Sequence, residues 1–173
     1  MPLDFNKHAQ KGNEFLNRLT VLLGDKTKKN NAGKILKAVF KTLREYLSLE
    51  ENFHLLAQLP MALKAVYIEG WMPTHKLEKG RKKIEFIQQY LNYRDRSYIA
   101  KVQDVEMATK EINLVFFALK KYISAGEFED ILSVLPTQIK KLISNNIYSK
   151  EFTLKQFGNR NADKVRVIEY PQY

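Results

Sequence analysis

The strongest constraint in this sequence is an internal repeat. Sliding the chain by 76 residues sets Ala32–Tyr67 on Ala108–Ile143 without a gap, and twelve of the 36 pairs are identical. The identities include Val39/Val115, Phe40/Phe116, Leu43/Leu119, Tyr46/Tyr122, Leu56/Leu132 and Leu59/Leu135. Two kinds of punctuation stay in register. Ser48-Leu49-Glu50-Glu51 and Ser124-Ala125-Gly126-Glu127 both carry the Ser-x-x-Glu spacing of a capping box. In that motif the hydroxyl and the carboxylate each satisfy the other residue's backbone N–H at a helix start. Leu59-Pro60 and Leu135-Pro136 then mark a helix break. The residue before a proline avoids helical dihedrals, and proline suits a new first turn because its missing N–H has no partner there. A unit of this kind leaves an apolar face that a second unit can cover, and two units are too few for an extended solenoid. The expected fold is therefore all-α: a compact helical bundle of two pseudo-symmetric repeats of about four helical segments each, followed by a C-terminal extended tail.

The apolar periodicity places the segments. Phe15, Leu16, Leu19, Leu22 and Leu23 predict a helix over 13–23 that Gly24 ends. Residues 1–10 read as a loosely docked lead-in. Leu36, Val39, Phe40, Leu43 and Leu47 predict a helix over 32–47, and the Ser48 cap starts a third that runs to Gln58. Met61–Ile68 follows Pro60, and Gly70 stops it. In the second unit the expected helices are 82–91, 104–123, 127–134 and 136–143, with a turn over 92–98. The repeats span 13–72 and 82–147 of a single domain, residues 1–150. Residues 75–83, rich in lysine around Gly80, read as a basic linker. Residues 151–173 form the tail, in which Lys164–Tyr170 alternates like a strand with no partner.

Composition bounds the function. The chain has 173 residues, 45% of them hydrophobic, and no cysteine. That is enough to bury a core without a disulfide or metal, and it removes thiolate chemistry. The histidines His8, His54 and His75 share no short-range ligand spacing, so no metal and no cofactor are expected. No Gly-rich phosphate loop is present. The N-terminus lacks a signal-like apolar core. The longest apolar run, Leu114–Leu119, falls far short of a membrane span. We expect a soluble cytoplasmic protein. The formal charge of +10 is compatible with a polyanionic partner and with solubility alone.

Beyond the repeat, the first unit has residues of its own. His54-Leu55-Leu56-Ala57-Gln58-Leu59-Pro60 and Tyr67-Ile68-Glu69-Gly70-Trp71-Met72-Pro73 resemble the hallmark pattern of the bacterial domain-of-unknown-function family DUF2267. Leu43, Arg44, Leu47, Glu50 and Glu51 add to the resemblance, as do Ser124, Gly126, Glu127, Asp130, Leu135 and Pro136 in the second half. Ile68 departs from it, standing where the family carries a second aromatic. The resemblance implies an all-helical fold and a bacterial origin. It implies no activity.

His54 and Gln58, four residues apart, share a helix face. Together with Tyr67, Glu69 and Trp71 they are the candidate ligand-binding set. The plainer alternative is architectural: a polar pair fixing the helix junction and a Trp folded back on the core. Glu50/Glu51 and Glu129/Asp130 lie near helix starts, where the helix dipole accounts for them. No catalytic residue is assigned. Lys76, Lys79, Arg81, Lys82 and Lys83 are the candidate polyanion-binding set. The expected function is a non-enzymatic module for protein interaction or self-association, with an unknown protein or a second copy as partner. Nucleic-acid binding through linker and tail, and a small-ligand binder or enzyme at the His54 region, are the alternatives.

Overall fold

The computed structural model describes residues 4–24, 28–73, 82–95 and 102–147. These residues hold eight α-helices and no strand: α1 Phe5–Leu22, α2 Lys29–Tyr46, α3 Leu49–Gln58, α4 Met61–Ile68, α5 Lys83–Asp95, α6 Val102–Leu119, α7 Ala125–Val134 and α8 Thr137–Ile147. The all-helical expectation holds. The expected tail strand lies outside the described residues.

Local chemistry sets the helix ends. The Ser48 N–H donates to Glu51 Oε2 at 2.6 Å, and the Glu51 N–H donates to Ser48 Oγ at 3.2 Å. The same reciprocal pair recurs at α7, with Ser124 N–H to Glu127 Oε2 at 2.7 Å and Glu127 N–H to Ser124 Oγ at 3.2 Å. Leu59 (φ −72, ψ 144) and Leu135 (φ −77, ψ 142) both leave the helical region ahead of proline. Gly70 follows α4 with φ 61, a left-handed turn that a side chain rarely adopts.

Some boundaries differ from the sequence expectation. Helix α1 begins at Phe5, eight residues before the expected Asn13, because Asp4 caps it. Its carboxylate accepts from the Asn6 N–H at 3.0 Å and the Lys7 N–H at 3.3 Å. The first turns face solvent and so carry no apolar periodicity. Helix α5 continues to Asp95 where a turn from Asn92 was expected, and Lys83 opens this helix instead of ending the linker. Helix α6 stops at Leu119, and Lys120–Ile123 form the bend before the Ser124 cap. Helix α8 extends to Ile147, beyond the expected Ile143.

Helices α2 and α6 are central, and they touch each other. Along α2, Ile35, Val39, Phe40, Leu43 and Tyr46 are buried; along α6, Ile112, Leu114, Val115, Phe116 and Leu119 are. Helix α1 packs on α2, α6 and α4, whereas α5 packs on α6, α2 and α8. Helix α4 also contacts α2, as α8 contacts α6, and α3 lies against α7. Each layer covers apolar surface that α2 or α6 would otherwise expose, at about 25 cal/mol per Å² removed from water. Polar side chains within this core bond locally. Thr42 Oγ1 donates to Ala38 O at 2.8 Å and Asn113 Nδ2 to Thr109 O at 2.7 Å.

Candidate functional site

Of the residues singled out by the sequence, Tyr67 and Trp71 meet at the corner where α2, α3 and α4 converge. Tyr67, on the last turn of α4, is wholly buried. Its ring stands edge-on to Phe40 of α2, with centroids 5.1 Å apart. Its hydroxyl donates to Asn52 Oδ1 on α3. The Asn52 amide in turn donates to Leu47 O at 2.9 Å, Ser48 O at 3.0 Å and Arg44 O at 3.2 Å. These carbonyls end α2 and lead into α3; Ser48 O also accepts the backbone N–H of Asn52 at 2.9 Å, the first bond of α3, and the side-chain amide adds a donor to each of the three. One buried amide therefore satisfies the α2–α3 turn and holds α4 through Tyr67.

Arg44 works from the other side. Its Nη1 donates to Tyr67 O at 2.7 Å and Glu69 O at 3.1 Å, the last carbonyls of α4. A guanidinium here satisfies orphan acceptors and complements the negative end of the helix dipole. Burial pulls the Arg44 pKa down, while the charges of Tyr67, Glu45 and Glu69 push it up. Burial pushes the Tyr67 hydroxyl far above the usual tyrosine range, and the Arg44 charge opposes this only in part. A phenol so shifted and already donating to Asn52 is poorly placed to exchange protons with a substrate. Glu69 is on the surface, its carboxylate 2.7 Å from Lys37 Nζ. The hydrogen bond and charge of Lys37 hold its pKa below the ordinary value.

Trp71 lies just past α4, its backbone N–H donating to Ile68 O at 3.0 Å. The half-buried indole sits between Tyr67, at 5.9 Å, and Phe53 of α3, at 6.2 Å. His54 points to solvent and Gln58 is half-buried on the same helix. The structure thus brings Tyr67 and Trp71 together and leaves His54 and Glu69 outside their contact. Exposed apolar side chains lie beside Trp71: Phe53 is 51% exposed, Ile68 49% and Met72 85%, with Met61, 56% exposed, at the start of α4. Met61 and Ile68, two turns apart, share the outer side of α4.

Sequence reasoning passed over Asn52. Its signal was the pairing of Asn52 with Phe128 in the repeat, a polar residue where the other copy is aromatic. It also passed over a second buried network. Glu111 of α6 receives Tyr90 Oη at 2.6 Å, Arg94 Nε at 2.8 Å and Arg94 Nη2 at 2.8 Å. An acidic residue at helical spacing between the apolar Ala108 and Val115 was the available sign. Of the basic set, Lys82 and Lys83 are exposed at the start of α5, and Lys76, Lys79 and Arg81 lie outside the described residues. Among the described residues no group of three or more His, Cys, Asp or Glu could hold a metal ion. No helix there is long and apolar enough to cross a membrane.

Six helices around two central ones, with a polar junction under an exposed aromatic corner, place the chain among all-α bundle proteins. Residues 12–142 match the family described as uncharacterized conserved protein, DUF2267, and the chain belongs to it. No curated protein matches the chain.

Proposed function

We propose that this protein is a non-enzymatic interaction module that takes up a protein partner or a second copy of itself on the α3–α4 corner. The carrying observation is the set of exposed apolar side chains Phe53, Ile68 and Met72 beside a half-buried Trp71, with Met61 further along the same side of α4. Scattered exposed apolar residues are ordinary, but several gathered beside an anchored aromatic have the form of a recognition surface. The polar groups beneath it support the same reading. Tyr67, Asn52 and Arg44 spend their hydrogen bonds on α2, α3 and α4, and so make the corner rigid instead of reactive. A rigid apolar surface loses little entropy on docking.

The bundle itself supports a duplicated origin. Exchanging α1 for α5, α2 for α6, α3 for α7 and α4 for α8 turns the contacts α1–α6, α1–α4 and α2–α4 into α5–α2, α5–α8 and α6–α8, all of which occur. In this reading each unit covers the other, and the corner's apolar surface is one that the fold itself does not use.

Light scattering coupled to size exclusion, with capture from lysate, tests the proposal. Phe53→Glu and Met72→Glu are expected to abolish the dimer or the captured partner while the melting temperature changes little. A chain that is monomeric at every concentration and retains no partner overturns it. So does an assembly that both variants preserve.

A further inference from the structure

Helices α2 and α5 border an open cavity of about 370 Å³ lined by Tyr46, Ile84, Glu85, Gln88 and Gln89. This volume is at the lower end for small-molecule sites, of about 300–1,000 Å³. Tyr46 is only 1% exposed, its ring edge-on to Phe86. Glu85 Oε2 is buried and has no hydrogen-bond partner among the described residues. A buried carboxylate oxygen without a donor is costly, and the cost is recovered when a donor arrives. Nearby donors have partners of their own: Gln88 Nε2 donates to Asn92 Oδ1 at 3.2 Å, and Tyr93 Oη donates to Glu45 Oε1.

The electrostatics select the sign of the missing group. Burial, then the charges of Glu85 and Glu45, push the Tyr46 pKa up to about 12. The phenol therefore stays neutral and can accept a hydrogen bond at its oxygen. Ile84, 58% exposed, supplies an apolar wall. Lys82 and Lys83 line a different cavity on the other side of Ile84, with Ile87, Val105 and Gln138.

The geometry points to a binding site for a small organic primary ammonium, its –NH₃⁺ donating to Glu85 Oε2 and Tyr46 Oη while its short carbon chain lies against Ile84. An ammonium carries three donors and no acceptor. It matches a site that offers the Glu85 carboxylate oxygen and the Tyr46 phenol oxygen. The site is separate from the α3–α4 corner, and the inference does not depend on the function proposed for that corner.

The test is an NMR titration of the full chain with n-butylammonium, n-butanol and butyrate. Butylammonium is expected to bind saturably with a Kd on the order of 1 mM, shifting resonances of Tyr46 and Glu85. Glu85→Gln is expected to weaken it about tenfold, and Tyr46→Phe by a smaller factor. Glu50→Gln, on the exposed side of α3, should leave it unchanged. Equal binding of butanol overturns the inference, as does no saturation by about 50 mM ammonium. An unaltered affinity in Glu85→Gln overturns it too. The comparison of the three probes on the unaltered chain stands whether or not a variant folds.

Discussion

Asn52 is the residue on which the candidate corner turns. It is almost wholly buried, and its one amide group serves four partners: Leu47 O, Ser48 O, Arg44 O and the Tyr67 hydroxyl. Its removal takes the side-chain donor from the buried Leu47 O and the acceptor from the buried Tyr67 hydroxyl, at about 1–3 kcal/mol for each fully buried group. Asn52→Ala is therefore expected to cost about 3 kcal/mol in urea unfolding. Tyr67→Phe removes only one donor and keeps the ring packing on Phe40 and Trp71, so it should cost about 1 kcal/mol. If Asn52→Ala matches the parent chain within about 0.5 kcal/mol, the corner is not held as described. Phe128, which the 76-residue shift of the sequence sets on Asn52, is a buried aromatic and offers no such hydrogen bonds.

At the scale of helices, the signals that the sequence shows clearly are the local ones. Capping boxes and Leu-Pro breaks act within four residues, so α3, α4 and α7 stand where Ser48, Pro60 and Ser124 place them. Apolar periodicity is nearly as legible where a helix is half-buried. It fails at residues 5–14 of α1, where Phe5, Asn6 and Lys7 face solvent and only the Asp4 cap marks the start. The partners of Tyr67 were illegible for a different reason. Arg44 and Asn52 lie 23 and 15 residues away, and only the docking of α4 on α2 brings them together. The α1–α4 contact is a further case. A Cβ placed on Gly12 would come 2.8 Å from the Ala62 Cβ, whereas one placed on Gly33 of α2 meets nothing within 4 Å. Alanine gains about 1 kcal/mol of helix propensity over glycine at either position. At Gly12 that gain opposes an overpacking cost of about 1–3 kcal/mol. Gly33→Ala should therefore stabilise by about 0.5–1 kcal/mol, and Gly12→Ala should lose about 1 kcal/mol. Chemical denaturation of both variants checks this, and a stabilised Gly12→Ala would mean that α1 and α4 are not in close contact.

For the whole molecule, the buried tyrosines set an alkaline limit. Tyr67 and Tyr90 are wholly buried. Burial pushes both hydroxyls well above the ordinary value of 10.0, and at Tyr90 the charge and hydrogen bond of Glu111 add to the shift. Tyr46 follows, raised to about 12. Because the folded pKa lies above the unfolded one, the stabilisation is complete below pH ~10 and is lost as pH rises beyond it. There the unfolded chain has released its phenolic protons and the folded chain has not. Each such tyrosine steepens the loss of stability by about 1.4 kcal/mol per pH unit. The tyrosinate absorbance should accordingly rise in two stages: a first one in the ordinary tyrosine range near pH ~10, then a cooperative step that coincides with loss of helical circular dichroism. Tyr67→Phe should lower the amplitude of the second stage and flatten the fall in urea stability above pH ~10. A smooth titration of all nine tyrosines with the helices intact would contradict the burial of these three. The residues concerned link distant parts of the bundle. Tyr67 ties α4 to α3, Tyr90 ties α5 to α6, and Tyr46 closes α2 on α5, so ionising them in the native state would break several helix interfaces at once. Alkaline unfolding is therefore expected to be a single transition, with α1–α4 and α5–α8 melting together because each set covers the other's core.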